Sequence, residues 1–424
     1  MSILASVLRC LRKALPADAR LRAAIRMRLM RTLRWVLPNI GLSGQPPTSV
    51  APPTVGTDTP DFLVWSVIDW HYRFQRPQHL ARELARTGGR VFYISCNLID
   101  DREPGFRVEP LDTEGRLYQV FFHVRGAPLI YFEAPSDAAK FQLTEGIAAL
   151  LDWAGAGDPI SLVEHPFWFE TARAVPGGRL LYDRMDYHEG FGTLSGELEA
   201  DEKALMRGAD LTIVSSAWLE QDTAHYTDRR LLLRNAGEYA HFAQPPENPF
   251  RDQAGRKVIG YFGAIADWMD LDLVAAIARR FADCLVLLIG HDQCQAARKL
   301  ARYDNVSMPG EVSYAELPGY LYGFDVCILP FRVIPLTLAT NPVKIYEYLG
   351  AGKPVVAVEL PEMEQFGDLI SVADDETGFL GAIASDLEEP SDSEEIGRRR
   401  AFAAQQTWAH RAKILNKALG IQRT

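Results

Sequence analysis

Lys344 and Glu347 stand three residues apart in the stretch Thr340–Val358, TNPVKIYEYLGAGKPVVAV. On a helix this spacing puts an ammonium and a carboxylate on one face, near an N-terminus whose unpaired N–H groups and dipole favour anions. A cation for phosphates and a carboxylate for ribose hydroxyls suit a nucleotide-sugar; the plainer alternative is an exposed ion pair of little consequence. A second constellation is LLYDRMDYHEGF, Leu180–Phe191, where Asp183, Asp186 and His188 follow an apolar run. A sugar hydroxyl that attacks an anomeric carbon with inversion must give its proton to a carboxylate or imidazole within hydrogen-bond reach. Asp186 is the first choice for that base and Asp183 or His71 the second, with a turn or helix cap as the other use of Asp183. The third is DWHYRFQRPQHL, Asp69–Leu80. Asp69 or His71 can take a proton there, and Arg73 and Arg76 can hold an acceptor phosphate, unless Arg76 and Gln78 serve only to fix a helix start.

These residues need a scaffold, and the surrounding pattern supplies one. Pro342 suits the beginning of a helix, where its missing N–H would be unpaired anyway. Ile345 and Leu349 fall four apart and can dock the segment 343–349 on a sheet. Gly350 and Gly352 end it, and PVVAV reads as a parallel strand buried on both faces. Upstream, FLVWSVI, VFYIS, ISLVE, RLLYD and LTIVS read as short buried strands with helical stretches between them, and LLLRNAG closes that half. After the Pro-rich interval Glu238–Lys257 the alternation restarts with VIGYFG, CLVLLIG, NVSMPG and DVCILPF. Such alternation predicts an α/β protein with two parallel, doubly wound sheets, whose ligands bind beyond the carboxyl ends of the strands. Gly263 lies in one such loop, where a glycine lets backbone approach a phosphate. Arg332 lies in another, LPFR.

KIYEYLGAGKPVV resembles the donor-site segment of GT-B glycosyltransferases, notably the bacterial polysaccharide enzymes of exopolysaccharide and teichuronic-acid type. The text W-x-x-x-D-W-H-Y-R-F-Q-R-P-Q-H-L resembles their beginning, and LLYDRMDYH resembles their YD-x-M-D-D-H segment, with Tyr187 in place of the second aspartate. The resemblance implies a GT-B fold, two Rossmann-like domains facing across a cleft. It puts Glu347 on the donor ribose, Lys344 at the pyrophosphate and Gly263 at the domain's glycine; read from the residues themselves, Arg332 and Asn341 complete the donor-binding set and Asp69, Arg73 and Arg76 lie on the acceptor side. The implied activity is metal-independent hexosyl transfer, without a cofactor, from a nucleoside-diphosphate sugar to a polysaccharide or lipid-linked saccharide acceptor in cell-surface polysaccharide synthesis. Many relatives carry a second glutamate eight positions upstream of the first; here that position is Ala339. Many also carry a Lys or Arg shortly after the glycine of the second domain, where this chain has Asp267, Trp268 and Asp270. Two other classes stay open: a sugar-nucleotide epimerase of the same fold, and a non-catalytic subunit that binds a nucleotide-sugar.

Composition sets the outer limits. The 424 residues suffice for two domains, and a net charge of −10 argues against a general nucleic-acid binder. Neither domain's first strand is followed by G-x-G-x-x-G, which argues against a dinucleotide oxidoreductase. Asp270 and Asp272 open a helix, where acids suit the dipole, and no metal is expected. Cys10, Cys96, Cys284, Cys294 and Cys327 are odd in number and scattered, so neither a zinc cluster nor a disulfide framework is implied, and a cytoplasmic setting fits. No apolar run of about 18 residues occurs that could span a membrane. Residues 1–40 hold nine basic residues against one acid, interleaved with apolar ones at helical spacing. They read as a basic amphipathic segment for the anionic inner face of the membrane or for a protein partner. The expected organisation is that segment, a Pro-rich linker over 41–60, an acceptor-binding domain over 61–240, a nucleotide-sugar domain over 255–390, and a helical end over 391–424. The last crosses back to the first domain, with Trp408 at the crossing.

Overall fold

A computed structural model describes residues 59–192 and 194–421. The expectations for segment 1–40, and for all but the end of the linker, lie outside those residues. The described residues form two compact units, one of 59–72, Gly88–Leu180, 188–192 and 194–209, the other of Arg73–Thr87, Leu181–Tyr187 and 210–421.

In the first unit the strands are β1 (Phe62–Trp65), β2 (Val91–Ile94), β3 (Phe106–Pro110), β4 (Leu117–Phe122) and β5 (Ile160–Val163), in the order β3-β4-β2-β1-β5. All pairings are parallel except that of β3 with β4. Every residue of β1, β2, β4 and β5 is buried, Gln119 and Ser161 included, as in strands covered on both faces. β3, FRVEP, is the exception. It is a half-exposed edge strand ending in proline, and its mixed pattern gave no strand signal in the sequence.

In the second unit β6 (Arg179–Arg184, counted from Leu181), β7 (Leu211–Val214) and β8 (Arg230–Leu232) pair in parallel. A six-stranded parallel sheet follows, built from β9 (Val258–Phe262), β10 (Leu285–Ile289), β11 (Val306–Gly310), β12 (Val326–Leu329), β13 (Val355–Val358) and β14 (Ser371–Ala373). Its order is β11-β10-β9-β12-β13-β14. The winding reverses between β9 and β12, and at such a switch point the two flanking loops diverge and leave a crevice at the carboxyl ends. Gly263 follows β9, and the helix carrying Lys344 follows β12. The closing helix Trp408–Ala418 packs on the helix Arg76–Arg86, where the Trp408 indole stacks on the His79 imidazole at 4.9 Å and 6°. Burial there drops the His79 pKa to about 3, with Glu238 opposing and Arg82 assisting, so that imidazole is neutral.

Candidate functional site

The helix Val343–Gly350 begins after Pro342 with no side chain capping its first N–H groups. Ile345 and Leu349 are fully buried, each worth about 1.5–3 kcal/mol, and they fix the helix to the sheet. The Tyr346 hydroxyl bonds the side chains of Asn341 and Gln365 at 3.1 Å, and the Tyr348 hydroxyl accepts from the Phe262 amide at 3.2 Å, at the end of β9. With those side chains committed, Lys344 and Glu347 remain on the fourth face. Lys344 is half-buried and Glu347 only 8% exposed, and among the described residues neither side chain makes a hydrogen bond or ion pair. The exposed ion pair is therefore not what forms.

Burial dominates the electrostatics of both groups. It pushes the Glu347 carboxyl up to about 7, with nearby Lys344 pulling down and Glu238 pushing further up. It also lowers the Lys344 ammonium, with Glu347 opposing and Arg73 adding to the decrease. The Lys344 Nζ lies 5.8 Å from the centre of the Tyr261 ring, within range of a cation–π attraction. Gly263 makes room for it. Its φ is +138°, and a Cβ there would fall 2.6 Å from Lys344 Nζ and closer still to Cε. Gly290, at φ +151°, backs directly onto the Gly263 carbonyl, and its amide donates to the Gly310 carbonyl at 2.8 Å. The carboxyl ends of β9, β10 and β11 thus form a floor of bare backbone beside a lysine.

Asn341 is turned away from this bay. It is 2% exposed; its Oδ1 accepts from the Asn235 amide at 2.9 Å, and its Nδ2 donates to Glu362 at 2.6 Å. This corrects its expected place among donor-contacting residues: it braces the loop ahead of the helix. Glu362, fully buried, accepts from Ala217 N, Arg234 Nε, Asn341 Nδ2 and Gln365 Nε2, so one carboxylate ties four segments together. Ala339 is 1% exposed and packs with Val214 and Leu219 in an apolar cluster. Arg332 is exposed, and Asp270 caps the helix Leu271–Arg280 by accepting from Asp272 N and Leu273 N.

The acceptor-side residues diverge. Asp183 has no exposed surface; both its oxygens are forked by Arg76 at 2.8–3.1 Å, and Arg76 Nη1 goes on to Leu233 O and Asn235 Oδ1. A carboxylate so enclosed has no face for a sugar hydroxyl, and a guanidinium so used has none for a phosphate, so both expected roles are corrected. Asp69 Oδ2 accepts from Ser95, Asn97 and Gln119 and Oδ1 accepts from the His71 amide, which spends its lone pairs on holding the loop after β1. The His71 ring is exposed and lies 2.9 Å from Glu109. Gln78 accepts from the Gln75 amide and fixes the helix start. Asp186 is half-buried in the bend that follows β6. Arg73 pairs with Glu311 at the end of β11.

Sequence reasoning missed Glu362 and Glu238, and took Glu311 only as a possible edge of a base pocket. Glu238 accepts from Arg82 at 2.5 Å and bears on both Glu347 and Tyr314, which stacks on His241 at 4.4 Å. Glu238 lies six residues beyond β8, at the start of the short helix Tyr239–Phe242, and its place past a strand's carboxyl end was the signal that could have found it; its Pro-rich surroundings read instead as a linker.

Residues 256–389 match the family described as Glycosyl transferases group 1. A protein of Bacillus subtilis (strain 168) named for teichuronic acid biosynthesis, the glycosyltransferase TuaH, is 27% identical over 244 residues, 53% of this chain and 60% of that protein. Among solved structures, sucrose-phosphate synthase of Thermosynechococcus elongatus superposes with a TM-score of 0.67 at 16% identity, covering 85% of this chain and 98% of its own. An E. coli trehalose-6-phosphate protein bound with UDP-2-fluoro glucose gives 0.62 at 12%, covering 86% and 99%. Alr3699/HepE of Anabaena in complex with UDP gives 0.61 at 14%, covering 85% and 99%. At these identities the likeness speaks for the fold, which is GT-B.

Proposed function

On a chain with the GT-B fold and a group 1 glycosyl transferase domain, we propose that the protein transfers a sugar from a nucleoside-diphosphate donor to a saccharide or lipid-linked acceptor. The observation that carries this reading is the half-buried ammonium of Lys344 and the buried carboxylate of Glu347, three residues apart and unpaired among the described residues, beside a floor of glycine backbone. Burying two charges without pairing them costs several kcal/mol unless a ligand completes the site. Glu347 accepts from the ribose hydroxyls. Lys344 meets the diphosphate, helped by the open helix N-terminus and by Arg332 in the adjoining loop. Uracil is the first base to test, because two of the structural neighbours hold uridine nucleotides.

In the reaction, the acceptor oxygen forms a bond to the anomeric carbon as the bond from that carbon to the phosphate oxygen breaks. The acceptor proton passes to Asp186, and the electron pair leaves on the diphosphate, where Lys344 offsets the growing charge. This yields inversion. Residues 61–240 take the acceptor and 255–390 the nucleotide, and segment 1–40 brings the enzyme to an anionic lipid surface where such acceptors reside. The test is a transfer assay with radiolabelled donor on Asp186→Asn. Turnover is expected to fall about 10²–10⁴-fold with donor affinity unchanged. Near-normal turnover removes Asp186 as the base, and donor loss without a glycosylated product favours an epimerase or hydrolase instead.

A further inference from the structure

Arg73 sits in the loop between β1 and the helix Arg76–Arg86 with a backbone φ of +37°, in the left-handed region that side chains other than glycine rarely adopt. Strain of that kind is held only where something is gained by it. That backbone turns the Arg73 carbonyl to accept from Gln78 Nε2 at 3.3 Å, and the side chain forks onto Glu311, with Arg73 Nε donating to Oε1 at 2.8 Å and Nη2 to Oε2 at 3.1 Å. Their side chains are 27% and 50% exposed, and ion pairs so open to water contribute little to stability. The location says more. Glu311 directly follows Gly310, whose carbonyl accepts from Gly290; Gly290 abuts Gly263, and Gly263 lies against Lys344. Arg73 and Lys344 therefore stand at the two ends of one track of bare backbone, close enough for the Arg73 charge to weaken proton binding at Lys344. Two cations along one track of bare backbone suit an anion with more than one charged group.

We propose that Arg73 is a second cation for the donor's diphosphate and that Glu311 holds it in waiting, the guanidinium exchanging one bidentate partner for another when the phosphates arrive. This rests on the donor site proposed above. A planar guanidinium fits phosphate oxygens as it fits a carboxylate, and Glu311 has the right geometry to be displaced. A diphosphate, with charge on two phosphates, is then distinguished from a monophosphate, which engages one of the two cations.

The experiment measures calorimetric affinities of the full chain for UDP, GDP and dTDP and for the matching monophosphates. It compares wild type with Arg73→Ala, Arg73→Gly, Glu311→Gln, the Arg73→Ala/Glu311→Gln double variant and Lys344→Ala. Arg73→Gly tolerates the positive φ, so an intact unfolding midpoint in that variant separates lost binding from lost fold. Removing Arg73 is expected to weaken the diphosphate about tenfold or more and the monophosphate little. Glu311→Gln is expected to tighten the diphosphate several-fold, an effect absent from the double variant. Unchanged diphosphate affinity in both Arg73 variants, with Lys344→Ala still weakened, overturns the role of Arg73 alone. If no diphosphate binds wild type, or Lys344→Ala has no effect, the donor site itself is wrong and this inference falls with it.

Discussion

Asp183 and Glu347 are both buried carboxylates with a basic residue for a neighbour, and the second unit treats them in opposite ways. Asp183 is enclosed by a guanidinium whose remaining N–H groups are also spent, on Leu233 and Asn235. Glu347 shares its helix face with Lys344, yet the two do not pair, and the space beside them is kept clear by Gly263. The first couple is a closed joint that fastens the helix Arg76–Arg86 to β6 and to the chain beyond β8. In the second, neither group has a hydrogen-bond or ion-pair partner among the described residues. A carboxylate satisfied inside the chain contributes to folding, whereas one left unsatisfied costs stability and points to a ligand.

Breaking the closed couple has the largest expected effect on stability. Asp183→Ala leaves the Arg76 guanidinium buried without its partner and should cost about 3–5 kcal/mol, read as a shift in the urea midpoint. Glu347→Gln should cost nothing in the absence of ligand, or stabilise. A loss in Glu347→Gln as large as in Asp183→Ala would make the two couples alike and erase the distinction.

The difference sharpens with pH. The Glu347 carboxyl is raised from 4.5 to about 7, so the folded protein keeps a proton that the unfolded chain has already released. Stability relative to Glu347→Gln therefore falls as pH rises from about 4.5 to about 7, by up to about 3 kcal/mol, and is level above that. Nucleotide affinity runs the other way. Ribose hydroxyls donate to the ionised carboxylate, so binding strengthens as pH rises through about 7, then weakens where Lys344 gives up its lowered proton. Denaturation and calorimetric titrations across pH 5–9 on wild type and Glu347→Gln check both slopes; parallel curves for the two proteins contradict them.

What could be read from the sequence was local. Ile345 and Leu349 four apart, Pro342 ahead of them and the β-branched run after Gly352 define a helix and a strand from neighbours alone, and both formed where expected. The alternation of apolar runs likewise exposed the parallel strands, while β3 escaped because an edge strand needs no apolar pattern. The candidate site was legible only in part, because whether a charged residue is free is decided by distant sequence. Arg76 meets Asp183 across 107 positions, and Arg73 meets Glu311 across 238. Nothing in DWHYRFQRP distinguishes an arginine destined for a buried fork from one held at an open bay. Asn341 shows the same limit at short range: its neighbour Lys344 faces the bay, while it faces Glu362, which the sequence sets 21 positions later.

The most direct test of the open couple is a thermal-shift panel of UDP-, GDP- and dTDP-sugars on wild type and Lys344→Ala. Stabilisation of wild type by one nucleotide class is predicted, about 2–3 kcal/mol at a hundredfold excess over Kd, and it should disappear in the variant without lowering the variant's own midpoint. Equal stabilisation of both proteins, or none of either, would contradict the claim that Lys344 and Glu347 await a nucleotide-sugar.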